Sequence, residues 1–288
     1  MGNIFYNVKA RAARRLASSH IAGEEIAEAL RVCRAATRRG WKITLCPWER
    51  PSDSFAAVAR AYRMAVQTAA AELSEGAVSV KFQALGRRSS LLRPIAELAE
   101  EKNVQIRLDS NGPEGAPFAL AAAEELRASG FLVRCTLPSR WRRSIHDAER
   151  LIALKIPVRV VRGQWIDPGN GSPDFRTDYL RLIDRLARGC PHVSVATHDR
   201  ALAVESLGRL QRSGTPCELE QFLGLPPLGE GLIRELRVPK RLYVPYGHPY
   251  MPYNSADLWQ RPAIAGWMVR DLILGRGKKI ARFGVRTE

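Results

Sequence analysis

The sequence predicts an α/β protein, a (β/α)8 barrel of the TIM type with extra N-terminal helices. Three observations lead there. Eight short runs rich in β-branched residues recur along the chain. Each is followed by a segment of helix length whose apolar residues fall at three- and four-residue spacing. Eight such units fit into about 235 residues, the size of one barrel. A doubly wound sheet is the alternative. It would more usually carry six strands and a GxGxxG turn after the first, and that turn is missing. No break rich in Pro, Gly or Ser divides the chain. One barrel therefore spans 41–277, with N-terminal helices over 1–40 and a basic tail at 278–288.

The elements follow in order. Residues 8–19 read as an amphipathic helix, although the first 23 residues hold several Arg and no acid, a composition that superficially suggests a transit peptide. Residues 23–40 supply a further helix before the barrel. KITLCPW (42–48) is the first strand, followed by a helix over 56–73. AVSVKF (77–82) precedes a helix over 91–101, and VQIRLDS (104–110) a helix over 117–129. LVRCTLP (132–138) leads into a helix over 144–154, and PVRVVRG (157–163) into one over 177–188. HVSVATH (192–198) is followed by a helix over 200–213, and PCELEQF (216–222) by one over 229–236. KRLYVPY (240–246) closes the barrel, with a last helix over 256–274.

Composition narrows the function classes. The 288 residues carry 45 Lys+Arg against 29 Asp+Glu, a formal net charge of +16. With 45% hydrophobic and 26% charged residues, wholesale disorder and coiled-coil filaments are excluded. No run approaches the roughly 18 apolar residues of a membrane-spanning helix. Five cysteines without a CxxC pair argue against a disulfide framework or a zinc finger, and a reducing cytosol is the natural compartment. The cations are nearly all Arg and dispersed along the chain, which describes solvated surface better than a nucleic-acid face.

Barrel enzymes place their chemistry at the C-terminal ends of the strands. The polar residues expected there are Glu49, Lys81, Asp109 and Asn111, then Arg134, Arg159 and Arg162. Thr197, His198 and Asp199 close strand 6, Glu218 and Glu220 lie in strand 7, and Tyr243 lies in strand 8. Lys81, Arg134 and Arg159 sit among apolar neighbours, so each must be paired or bound to a ligand. One reading is an internal ion-pair network, with pairs such as Lys81–Asp109 and Arg159–Glu220. A network of that size is expensive where Val and Ile would fill the space, which favours a ligand for the set as a whole. Strand 1 lacks the HxH of metal-dependent barrel hydrolases, and the five His show no ligand spacing. No GxSxG elbow or P-loop is present. Lys81 leaves a Schiff-base lyase open. The surplus of Lys81, Arg134, Arg159 and Arg162 in one mouth suits an anionic, phosphorylated or electron-accepting ligand, and a flavin fits all three descriptions.

These strand-end residues resemble those of the proline dehydrogenase family, flavin-dependent barrels that oxidise proline to its cyclic imine. The resemblance runs over about 14–277. It is carried by AVSVKFQALG (77–86), RLDSN (107–111), PVRVVRGQW (157–165), ATHD (196–199), CELEQFLG (217–224) and RLYVPYG (241–247). Each is weak alone, but all six stand in the family's order, each at its own strand. By position the resemblance implies Lys81, Asp109 and Arg159 as catalytic residues, with Arg159 near the flavin's reactive nitrogen. Ser110, Arg134, Arg159, Arg162, Gly163, Gln164, Thr197, His198 and Glu220 would bind FAD, with Thr197 and His198 at its nucleotide half. Glu49, Lys81, Tyr243, Tyr253, Ala256 and Asp257 would line the substrate pocket.

The departures from the family pattern are specific. Arg134 stands where the family has a glutamine facing the flavin pyrimidine, and Trp165 replaces a tyrosine. The last helix reads Tyr253-Asn-Ser-Ala256-Asp257-Leu-Trp-Gln260 where the family has Tyr-x-x-Arg-Arg-x-x-Glu. Both arginines that would hold the substrate carboxylate are missing. The resemblance implies an FAD-dependent oxidoreductase that takes a C–N bond of proline or a proline-like cyclic amine to an imine, with no metal. A catalytically degenerate ligand-binding relative, or a lyase using Lys81, are the alternatives. Bacterial relatives often pass electrons to membrane quinones, so a quinone acceptor and peripheral contact at the inner face of the membrane accompany the cytoplasmic expectation.

Overall fold

The computed structural model describes residues 21–163, 165, 167 and 174–248. Eight parallel strands close into one barrel in chain order. They are β1 (Trp41–Trp48), β2 (Ala77–Lys81), β3 (Gln105–Asp109), β4 (Val133–Pro138), β5 (Val158–Val161), β6 (Val193–Ala196), β7 (Cys217–Phe222) and β8 (Lys240–Gly247). Closure comes from β8 running parallel to β1, from Lys240 opposite Trp41 to Gly247 opposite Trp48. Helices return the chain after each of the first seven strands: α2 (Phe55–Glu72), α3 (Ser89–Glu101), α4 (Ala116–Ala128), α5 (Ser144–Ala153), α6 (Phe175–Leu186), α7 (Arg200–Arg212) and α8 (Glu230–Leu236). α1 (Ile26–Thr37) precedes the barrel and packs on β8 and β1. The expected strands are all present; β1 and β8 are each one residue longer than expected and the other six somewhat shorter. A 3-10 turn at Phe82–Leu85, which the sequence reading missed, separates β2 from α3. The expected helices over 8–19 and 256–274 and the tail lie outside the described residues, as do Gln164, Tyr253, Ala256 and Asp257.

Strand alternation sorts the side chains into two populations. Ile43, Leu45, Val78, Val80, Ile106, Leu108, Val158, Val160, Val193, Val195, Leu219, Leu242 and Val244 face the helices in one continuous apolar core. Their neighbours in sequence face the barrel axis, and there the composition inverts. Ser79, Lys81, Arg107, Asp109, Arg159, Ser194, Glu218, Glu220, Arg241 and Tyr243 are all buried. Contacts between non-adjacent strands, such as Arg107 on β3 with Glu220 on β7, can form only across the interior. The apolar layer outside the strands carries the folding energy, and the inside is left to charge.

Helix starts are fixed by local capping. Ser54 accepts from Ala57 N at the head of α2, and Asp174 from Arg176 N and Thr177 N at α6. Asp199, one of the strand-end candidates, caps α7 by accepting from Leu202 N at 2.8 Å.

Candidate active site

The C-terminal mouth of the barrel is floored by β1, β2, β3, β5 and β8. Asp109 ends β3 and is held from three sides. It accepts hydrogen bonds from Ser79 and Thr136, and the Tyr243 hydroxyl lies 3.0 Å from its Oδ2. Arg159 on β5 brings Nη1 to 3.7 Å of the same oxygen. Burial pushes the Asp109 carboxyl upward, but Arg159, the two hydroxyl donors and Arg107 outweigh it. Its pKa therefore lies below the ordinary carboxylate range and the group stays ionised.

Arg159 is gripped from below as well. Its Nε lies 2.5 Å from Glu220 Oε1, an ion-pair contact rather than an aligned hydrogen bond. Burial opposes its charge, yet Glu220 and Asp109 more than compensate, so it remains a cation. Its guanidinium sits over the Tyr243 ring, 4.4 Å from the centroid, and that ring stacks on Phe222 at 5.4 Å. Burial and the Asp109 charge raise the Tyr243 pKa, which keeps its hydroxyl a donor.

Lys81 ends β2 with its ammonium 3.2 Å from Glu49 Oε2 and 5.4 Å from the Trp48 ring centroid. The expected pairing of Lys81 with Asp109 is thus replaced by Lys81 with Glu49. The loop after β1 is close enough to reach Lys81, and Asp109 already has its own partners. The Lys81 side chain is 6% exposed and Glu49 21%, so this pair faces the opening.

Several expectations are corrected. Arg134 does not share this mouth. It is the second residue of β4, at the N-terminal end of the barrel, where its Nη1 meets His192 Nδ1 at 3.1 Å. Glu220, expected to touch a cofactor, is fully buried beneath the mouth between Arg107 and Arg159. Arg162 is exposed, with its guanidinium over the Phe175 ring, 4.0 Å from the centroid. Tyr243 forms the floor with its ring and turns its hydroxyl into the network. The extended ion-pair network, disfavoured on cost, is the arrangement found, because every charge in it but Arg134 has a carboxylate or cation partner.

Two members escaped the sequence reading. Arg107 contacts Glu220, lies 3.8 Å from Glu218 Oε1 and donates to Ser194. Arg241 donates from Nε to Glu218 at 2.9 Å and from Nη1 to Ile43 O. Two-residue alternation back from Asp109 and from Tyr243 would have found both.

The remaining strand-end residues ring the β5–β6 side. Gly163 adopts φ 89°, and a Cβ there would come within 2.6 Å of Pro138 Cβ, so this turn closes tightly against β4. Arg140 donates to Gly163 O and Trp141 Nε1 to Trp165 O, tying the turn to the loop after β4. His198 Nε2 accepts from Phe222 N at 2.8 Å while Nδ1 meets Pro226 O at 2.8 Å. Burial lowers it to about 4, so a neutral imidazole bridges the β6 and β7 loops. Thr197 Oγ1 accepts from Asp199 N, and Ser110 follows Asp109 directly. Among the described residues no cluster of metal ligands is present.

No family model matches the chain. It is 22% identical to proline dehydrogenase 1 of Bacillus subtilis (strain 168) over 281 residues, 92% of this chain and 93% of that protein. It is 25% identical to proline dehydrogenase of Deinococcus radiodurans over 150 residues, 50% of this chain and 48% of that one. Among solved structures it resembles proline utilization A from Bdellovibrio bacteriovorus inactivated by N-propargylglycine, with a TM-score of 0.69 and 19% identity over 93% of this chain. Proline utilization A from Bradyrhizobium japonicum gives a TM-score of 0.62 at 19% identity, over the same share. The chain spans about a third of those solved chains, 33% and 32%. It shares their (β/α)8 fold, and its sequence is similar to the Bacillus subtilis proline dehydrogenase 1 over nearly its whole length and to the Deinococcus radiodurans proline dehydrogenase over half of it.

Proposed function

We propose that the protein is an FAD-dependent oxidoreductase of the proline dehydrogenase type, acting on a proline-like or other cyclic amine. The observation that carries this reading is the mouth itself. Arg159 is held as a cation between Asp109 and the buried Glu220, beside the Lys81–Glu49 pair, with Arg159, Asp109, Lys81 and Glu49 slightly open to the same side. The sequence similarity to proline dehydrogenases supports it.

The described residues fit a flavin on the β5–β6 side. Arg159 is a fixed cation at that side's floor, the Gly163 turn is compact, and Thr197 and His198 stand at the end of β6. Arg134 contributes nothing there. FAD held at this mouth would supply a two-electron acceptor. Arg159 sets a positive potential at the floor, and Asp109 and Glu220 fix its direction so that no reorganisation is needed. Lys81 and Glu49 orient the substrate nitrogen. Glu49, the more exposed of the mouth's two carboxylates, would accept a hydrogen bond from the substrate amine. Asp109, ionised and triply held, balances Arg159 and has no proton to give.

Free proline is expected to be a poor substrate, because Ala256 and Asp257 stand where the family places its carboxylate-binding arginines. Losing such charge-assisted bonds typically costs about 3–5 kcal/mol. A lyase is disfavoured because Glu49 holds Lys81 in an ion pair, which suits orientation better than Schiff-base chemistry. The test is the flavin-to-protein absorbance ratio of the purified protein, followed by bleaching with L-proline and with proline esters, amides and larger cyclic amines. A yellow protein bleached by masked amines supports the reading. A yellow protein that none of them bleaches indicates a ligand-binding relative, and a colourless protein that cannot be loaded with FAD refutes the assignment. Arg159→Ala should lower the flavin ratio several-fold.

A further inference from the structure

The N-terminal end of the barrel carries an arrangement of charge that chemistry at the opposite end does not use. Arg107 on β3 and Arg134 on β4 are direct partners in the strand register, and alternation turns both side chains toward the axis. Like charges at one register position repel. Here water does little to screen them, since Arg107 is fully buried and Arg134 half-buried.

The donors of the two residues are unevenly engaged. Arg107 Nη1 meets Glu220 and Nη2 donates to Ser194, while Nε has no hydrogen-bond partner. Arg134 has no carboxylate at ion-pair distance among the described residues, and its hydrogen bond goes to His192 Nδ1. A guanidinium can only donate, so that nitrogen accepts and the imidazole is neutral. Burial, which lowers His192 to about 4, agrees with this. Glu218 and Glu220 offset the Arg134 charge only from beyond ion-pair distance, Glu218 being engaged by Arg241 at 2.9 Å and by Ser194 at 2.6 Å. Along the axis Lys81, Arg107, Arg134, Arg159 and Arg241 face Glu49, Asp109, Glu218 and Glu220. Among the described residues the cation left over is Arg134.

We propose that the N-terminal opening of the barrel binds a small oxyanion of the phosphate or sulfate kind between Arg134 and Arg107 Nε. An oxyanion offers several acceptors to guanidinium donors that are fixed in direction. It also converts a repulsive register pair into a bridged one. Arg134, near the start of β4, and His192, directly before β6, are only partly buried, so an ion meets Arg134 first. It gains Arg107 Nε, which is covered in this structure, as the Arg134 side chain shifts to take it. The site lies four residues down β4 from the mouth at Pro138, about 13 Å at strand rise. It holds whether or not the mouth oxidises an amine.

The test is thermal melting of the full chain titrated with inorganic phosphate at constant ionic strength, with chloride as the balancing anion. We expect a saturable rise in Tm, about 2–4 °C at roughly ten times Kd. Arg134→Gln should show no phosphate response. In phosphate-free buffer it should melt no lower than the parent protein, because it removes the repulsion with Arg107. Should that variant not fold, Arg134→Lys, which keeps the charge but loses the fork, should bind phosphate at least about five-fold more weakly. The proposal is overturned if the parent protein shows no saturable response, or if either variant titrates as the parent does.

Discussion

The lower and upper halves of the barrel interior are made of the same groups and differ in how far water reaches them. Below, Arg107, Glu218 and Arg241 have side chains at most 1% exposed; Ser194 and the Ile43 carbonyl add hydrogen bonds, and Arg107 Nε is left without one. Above, Lys81, Asp109, Arg159 and Glu49 are 6–21% exposed and open to one side. A buried pair is costly to break because the surviving charge has nothing to replace its partner, whereas a pair at the rim can exchange its partner for water or substrate. The lower ion pairs thus act as structure, with the Arg134–Arg107 edge as the proposed exception, and the upper ones act as a site. Glu220 joins them, taking Arg107 from below and Arg159 from above.

The sharpest way to break this contrast is Glu218→Gln, which strips the carboxylate from Arg241 and Arg107. The expected destabilisation is about 3–5 kcal/mol, or roughly 10 °C in Tm. A loss under about 1 kcal/mol would mean the lower charges are solvated and the contrast is false.

Acid should expose the same carboxylate. Burial pushes Glu218 up, but Arg241 and Arg107 prevail and bring it to about 2. Its folded pKa lies below the unfolded value, so its stabilisation is full above about 4.5 and is lost as pH falls toward 2. That is about 3 kcal/mol. Denaturant melts between those pH values should show the loss in the parent protein and its absence in Glu218→Gln.

At the rim, Asp109→Asn should cost less stability, about 1–3 kcal/mol, because water and Glu220 still attend Arg159. Its larger effect should fall on turnover. Equal stability losses for Asp109→Asn and Glu218→Gln would erase the distinction between the halves.

The smallest effect belongs to two histidines, one at each end. Burial lowers both His192 and His198 to about 4, below their unfolded value. Each contributes stability present above about pH 6.5 and lost as pH falls toward 4, about 1 kcal/mol apiece near pH 5.5. His192→Asn and His198→Asn should each flatten that slope. If only one does, the other histidine is reached by water and titrates normally.

The barrel itself was legible because its signals are local. Eight β-branched runs such as AVSVK and VRVV bury their Val and Ile outward at period two, and the helices between them keep their own spacing. Lys81 and Asp109 were likewise placed correctly at one mouth, since each ends its strand, and Arg159 joins them because the register sets it opposite Thr136. Arg134 is also the second residue of its strand, and only the register, which pairs it with Arg107 two residues below Thr136, puts it at the far end; its isolation among apolar neighbours was read as a sign of ligand.

What the sequence determined alone was the order of strands and helices and which face of each strand is apolar. Only the closed barrel decided who answers each charge. Arg107 meets a glutamate 113 residues away, and Lys81 takes Glu49 rather than Asp109. Partner choice depends on register and closure around the axis, and on which oxygens remain after nearer donors are satisfied. Ionic attraction has no sequence period, so it can be settled only once the strands are in place.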